Sequence, residues 1–221
     1  TNTTALIRNN RIHKYSSNST TDDSEKFIGI CIKQNAKAEI SNNLIYSCFD
    51  NHQNGFETKV GMGIYVEQTA GTKIIGNAFW DIYAKALPND VIGHAMIHAP
   101  SSGVSISNNL FWINGSHVTL NFVTGGAVNI DPIIGNPKFT DLENNDFSLA
   151  SDSPAIDAGP PVSIYNDRDG SRNDIGMFGG HNFIPDGRTT DKPIVLGLDI
   201  APIAVPVGGT VTIESTGATV K

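Results

Sequence analysis

The chain has 221 residues, a formal net charge of −7, 39% hydrophobic residues and two cysteines. That length allows one sizeable core, or one repeat array with the start of a further unit. The acidic balance, without any Lys/Arg cluster, argues against nucleic acid or an anionic membrane as partner, and no apolar stretch reaches the roughly 20 residues that span a bilayer.

The chain opens at Thr1, mid-repeat and without Met, as expected of a fragment or processed product. An Asn then recurs at near-constant spacing, at Asn10, Asn43, Asn77 and Asn109. Ile7, Ile40, Ile74 and Ile106 stand three residues before it, and Ile12, Ile45, Phe79 and Phe111 two after. Fourteen residues before it, a small residue opens a further apolar run, as in Gly29-Ile30-Cys31-Ile32, Gly63-Ile64-Tyr65-Val66 and Ala95-Met96-Ile97-His98. Each repeat thus carries three short alternating runs of strand length.

β-Branched residues, Gly and Asn dominate these runs, which rules out a helical repeat. Three strands per turn, stacked about 4.8 Å apart, make an all-β right-handed parallel β-helix in which each Asn lies above the last. The Asn suits the turn between second and third strands. It tolerates a left-handed backbone, and its amide can bond the amide of the next coil. Its expected role is a structural ladder.

Loops are expected at about residues 16–28, 49–62, 83–94 and 115–126, all leaving one corner and walling the first-strand sheet. From Ala127 the spacing shortens and Pro132 and Pro137 interrupt it, so the regular array is expected to end there. Alternation places Cys31, Tyr65, Ile97 and Asn129 in one outward column of the first-strand sheet. Lys33, Glu67, Ala99 and Asp131 form the next. His98 then aligns with the inward Ile32 and Val66 and reads as a buried histidine. It makes no zinc site with His94, since i and i+4 on a strand lie about 13 Å apart.

Cys31 and Cys48 fall in one repeat, where a disulfide is conceivable, although small apolar fillers account for them as well. The sequons at Asn2, Asn18 and Asn114 carry weight only in a eukaryotic secretory setting. Three residues after each ladder Asn, His13, Tyr46, Trp80 and Trp112 form an outward column. Stacked rings there offer a carbohydrate platform, while stacking between coils or burial under another segment explains them equally.

Residues 136 to 180 contain Asn136-Pro137-Lys138-Phe139, Asp146-Phe147-Ser148-Leu149, Ser153-Pro154-Ala155-Ile156-Asp157-Ala158-Gly159 and Asp167-Arg168-Asp169-Gly170-Ser171-Arg172-Asn173-Asp174-Ile175-Gly176. This succession resembles the segment that closes the solenoid in secreted bacterial right-handed β-helix proteins of the pectate-lyase-like superfamily. With the repeats, the resemblance runs from the start of the chain to Gly180. It implies an extracellular or cell-surface, polysaccharide-active protein, either lyase or glycoside hydrolase, or a non-catalytic adhesin. The motif marks architecture more securely than activity.

The resemblance also implies a substrate groove over the outer face of the first-strand sheet. Lys33, Tyr65, Glu67 and Asp131 are the candidate catalytic residues there. β-Elimination from a uronic acid needs carboxylate neutralisation, a base and an acid. Lys33 with Tyr65 can supply the last two, while carboxylates can hold Ca²⁺. Lys33 and Glu67 would equally make an ion pair between coils. Hydrolysis needs two carboxylates about 5 to 9 Å apart. Glu67 and Asp131, two coils apart, stand slightly too far, and Asp81 and Asp90 add rim options without a distinctive spacing.

Asp167, Asp169 and Asp174, with Asn166 and Gly170, resemble part of a calcium loop, but no closing Glu completes the EF-hand pattern. A turn in which Asp169 or Asp174 bonds arginines or backbone amides is the favoured alternative. Residues 1–184 thus form the β-helix part and 185–192 a linker. Residues 193–221 resemble the opening strands of a bacterial immunoglobulin-like module in a longer secreted chain. The functional expectation is a polysaccharide lyase acting on uronic-acid polymers. A non-catalytic adhesin or carbohydrate-binding spacer competes with it, and an active site in upstream coils is a third possibility.

Overall fold

The computed structural model describes residues 4–13, 27–47, 61–67, 71–80, 82, 95–113, 121–183, 194–201 and 207–218. Asn2, Asn18, Cys48, Asp81, Asp90, His94, Asn114 and the 185–192 linker lie outside the described residues, as do most of the expected loops.

The strands recur in sets. The first set holds β1 (Thr4–Arg8) and β2 (Arg11–His13). Next come β3 (Phe27–Ile32), β4 (Lys37–Ser41) and β5 (Leu44–Tyr46), then β6 (Gly61–Val66), β7 (Lys73–Ile75) and β8 (Ala78–Trp80). β9 (Ala95–Ala99), β10 (Ser105–Ser107) and β11 (Leu110–Trp112) follow, and the last set is β12 (Asn121–Gly125), β13 (Asn129–Ile130) and β14 (Ile133–Ile134). Corresponding strands of successive sets pair in parallel. The first sheet is ordered β3-β6-β9-β12, the second β1-β4-β7-β10-β13 and the third β2-β5-β8-β11-β14. Among the described residues the sole helical element is a 3₁₀ turn at Ser163–Tyr165. The protein is therefore all-β and built from parallel sheets.

The apolar positions read from the sequence explain why the sheets form. Ile40, Ile74 and Ile106 are register neighbours in the second sheet, as are Ile45, Phe79 and Phe111 in the third, and all six are fully buried. They share one core with Ile30 and Ile64 of the first sheet. Burying an Ile or Phe side chain fully is worth about 1.5–3 kcal/mol, and the repeat multiplies it.

The array runs one set further than the shortened spacing suggested, because β12 to β14 add a strand to each sheet. Pro132 takes the ladder position after Asn109, at a much shorter interval than those before it, the pairing Leu110↔Ile133 fixing the equivalence. The set is short because few residues separate its strands. Asn129 pairs with Ile106 and so belongs to the second sheet, not the first.

The Asn ladder forms as expected. Asn10 Nδ2 donates to Asn43 Oδ1 (3.0 Å), Asn43 Nδ2 to Asn77 Oδ1 (2.9 Å) and Asn77 Nδ2 to Asn109 Oδ1 (3.0 Å). The same oxygens accept the backbone N–H of Asn10, Asn43 and Asn77. The amides also reach back to the carbonyls of Ile7, Ile40 and Ile74 in the preceding set. Polar groups in a buried turn are thus satisfied by repetition alone. The left-handed backbone, however, belongs to the residue before each ladder Asn. Asn9, Asn42, Gly76, Asn108 and Asp131 have φ of 54°, 52°, 64°, 50° and 47°. Only Gly, Asn and Asp enter that region at low cost, and only they occur there.

Residues 136–183 lie along the side of the stack. Phe139 and Phe147, on the antiparallel pair β15 (Phe139–Asp141) and β16 (Asp146–Leu149), pack with Ala155 and Ile175 against Leu44, Tyr46, Ala78 and Leu110 of the third sheet. Hydrogen bonds then carry the segment across three sets. Asn9 Nδ2 donates to the Met177 carbonyl (3.0 Å), Asn42 Nδ2 to the Asp174 carbonyl (2.8 Å), and the Gly176 N–H to the Gly76 carbonyl (2.8 Å). The segment expected to close the end of the array therefore covers its flank. Near the C-terminus, β17 (Ile194–Ala201) and β18 (Thr212–Ala218) make a separate two-stranded antiparallel sheet.

Candidate functional site

On the first sheet, Cys31 pairs with Tyr65, Tyr65 with His98, and His98 with Thr124. His98 therefore belongs to the outward column, and the expectation that it is an inward, buried histidine is corrected. Ile97 is the inward residue, fully buried beside Ile64, and Ala99 is likewise buried rather than outward. Counting back from Asn109 at constant spacing misplaced this strand by one residue, because the turn between β9 and β10 is shorter than its predecessor. A one-residue slip exchanges the two faces of a strand.

The resulting surface has a defined geometry. The Tyr65 and His98 rings stack at 5.3 Å with an interplanar angle of 9°, and both residues are half-buried. His98 Nδ1 lies 2.9 Å from Thr124 Oγ1. Cys31, an exposed free thiol, continues the column. Rings stacked at this spacing lie face against face and turn their edges, with their polar atoms, away from one another's faces.

Lys33 and Glu67 flank this surface at the end of β3 and β6, where the Glu67 N–H donates to the Ile32 carbonyl (2.9 Å). Glu67 Oε2 accepts the backbone N–H of Gln34 at 2.8 Å. Its carboxylate thus caps a turn in the neighbouring set instead of pairing with Lys33. Asp131 does not stand on the first sheet, where alternation placed it, but in the left-handed turn after the second sheet, in line with Asn108.

The column His13, Tyr46, Trp80 and Trp112 stacks in order, with ring centroids 5.0, 5.3 and 5.8 Å apart. It does not form an open platform. Tyr46 is buried, with 3% of its surface exposed, Phe147 lies 5.0 Å from it, and Phe139 meets Trp80 edge-on at 6.0 Å. Arg11 closes one end, its guanidinium 4.9 Å above the Phe147 ring. The side segment covers the column because stacked aromatics are the largest apolar surface on that sheet. Of the four, only His13 is exposed.

The three carboxylates of the calcium-like loop serve separate turns. Asp169 Oδ1 accepts the Ser171 N–H (2.9 Å) and Asp174 Oδ1 the Asp157 N–H (2.9 Å). Asp167 accepts the N–H of Asp174 at 3.1 Å through Oδ2 and that of Gly180 through Oδ1. Burial, and then the charge of Asp174, push its carboxyl up to about 7, against the opposing pull of those two N–H groups. Among the described residues, no three His, Cys, Asp or Glu side chains converge as metal ligands, and no helix is long and apolar enough to cross a membrane.

His98 and Thr124 are the site residues that sequence spacing missed. The signal was present in the shorter interval between Ala99 and Ser105 compared with that between Val66 and Lys73. Comparison of the chain with family models, with curated proteins and with solved structures finds no match.

Proposed function

We propose that the three parallel sheets are the faces of a right-handed parallel β-helix, of the pectate-lyase-like kind, in a secreted or cell-surface protein that holds polysaccharide against the first sheet. The shared core of all three sheets supports the architecture. The stacked, half-exposed Tyr65–His98 pair carries the functional reading. It stands where an extended sugar chain crossing the sets would meet successive rings about one strand spacing apart.

In this proposal uronic-acid polymers are the substrate class. Lys33 neutralises a carboxylate, and Tyr65 with His98 supplies the proton donor and acceptor of a β-elimination. Hydrolysis is disfavoured because Asp131 lies away from the groove and Glu67 is held by Gln34. The same engagement of Glu67 favours a second reading, a carbohydrate-binding surface without turnover.

Incubation with polyuronates, monitored by ultraviolet absorbance of unsaturated products, tests the first reading. Product formed by the chain and lost in both Tyr65→Phe and His98→Ala supports elimination. Binding to immobilised polyuronate that is lost on Tyr65→Ala, without any product, supports the second. Neither binding nor product with any acidic polysaccharide refutes both.

A further inference from the structure

A cleft of about 310 Å³ opens between the outer face of the second sheet and the side segment. Arg8, Glu39, Ser41 and Lys73 line one wall, and Tyr165 and His181 are among the residues of the other. Its volume is at the lower end of sites that take small ligands, roughly 300–1,000 Å³.

The charges in this cleft do not balance. Arg8 Nη2 donates to Glu39 Oε1 at 2.7 Å, and Lys73 is the register neighbour of Glu39 on the next strand. One carboxylate thus stands among two cations.

We propose that this cleft binds a small hydroxylated carboxylate, a uronate monosaccharide being the representative ligand. A carboxylate offsets the combined positive charge of Arg8 and Lys73, which Glu39 alone does not balance. Hydroxyl groups match the remaining wall, since Glu39 accepts their protons and Ser41 and Tyr165 offer hydroxyls of their own. A phosphate dianion fits less well. It brings no donor to Glu39 and is repelled by that carboxylate. The site is on a different sheet from the Tyr65–His98 surface and does not rest on the function proposed for it.

Titration calorimetry of the chain with glucuronate and galacturonate, beside glucose and inorganic phosphate, tests the assignment. Saturable millimolar or tighter binding is expected for at least one uronate and for neither control. Lys73→Gln, an exposed substitution, is expected to weaken that binding about tenfold or more, while Lys138→Gln, exposed and outside the cleft, leaves it unchanged. The proposal is overturned if no uronate saturates the chain by about 50 mM, or if phosphate or glucose binds as tightly. It is also overturned if Lys73→Gln has no effect, or if Tyr65→Ala abolishes binding, which would move the ligand to the first sheet.

Discussion

Asn42 and Asn173, 131 residues apart, exchange two side-chain hydrogen bonds, Asn42 Nδ2 donating to Asn173 Oδ1 at 3.1 Å and Asn173 Nδ2 to Asn42 Oδ1 at 3.2 Å. Asn173 also donates to the Tyr165 carbonyl at 2.7 Å and is wholly buried. This amide pair pins the side segment to the left-handed turn of the stack. Asn173→Ala is therefore expected to cost about 2–3 kcal/mol, as it strands buried donors and acceptors. Asn42→Gly keeps the turn and should cost less. A double-mutant cycle in urea should return a coupling of about 1 kcal/mol, and simple additivity would show that the pair does not act as a unit.

The ladder makes a graded prediction along its length. Asn77 is fully buried and bonded on both sides, so Asn77→Ala should cost about 3 kcal/mol or more. Asn10, exposed and bonded to the ladder on one side among the described residues, should cost about 1 kcal/mol when replaced by Ala. Equal losses at the two positions, read from denaturant midpoints, would deny the ladder its cumulative character.

Phe147 holds the side segment on the aromatic column. Phe147→Ala removes a ring in contact with Tyr46 and Trp80 and should destabilise the chain by about 3–5 kcal/mol. The two tryptophans stand in that column, so their fluorescence should shift to the red in the native variant. An unshifted spectrum would mean that the cover is held elsewhere.

Asp167 sets a pH dependence with a definite sign. Its folded pKa of about 7 exceeds the roughly 3.9 of an unfolded chain. Between those values the native chain keeps a proton that the unfolded chain has released, so stability falls as pH rises through the window and levels off above it. Urea midpoints across that range should show the decline, and Asp167→Asn should flatten it. The same slope in the variant would assign it to another group.

The repeat made the sheets and their core legible in the sequence, because a buried column such as Ile40, Ile74 and Ile106 announces itself through spacing alone. The candidate site was less legible. Tyr65 was placed correctly, but one missing turn residue hid His98 on the wrong face. Asp131 was misplaced for a related reason, since a last set compressed between Asn109 and Pro132 leaves no room for the earlier spacing. The fate of Tyr46, Trp80 and Trp112 was invisible locally. Their cover arrives with Phe139 and Phe147, and no period connects the two segments.

Pro132 gives the ladder a direction. It stands where the next Asn would be, and it has neither an N–H nor an amide to pass the pattern on. At the other end, Asn10 Oδ1 has no donor among the described residues, while Asn43, Asn77 and Asn109 each accept two N–H groups through that atom. The ladder is chemically polar, since each Asn oxygen receives N–H groups from the set before it and Pro132 offers no such oxygen to the set that precedes it. A designer carrying the register beyond the last set would have to replace Pro132 with Asn.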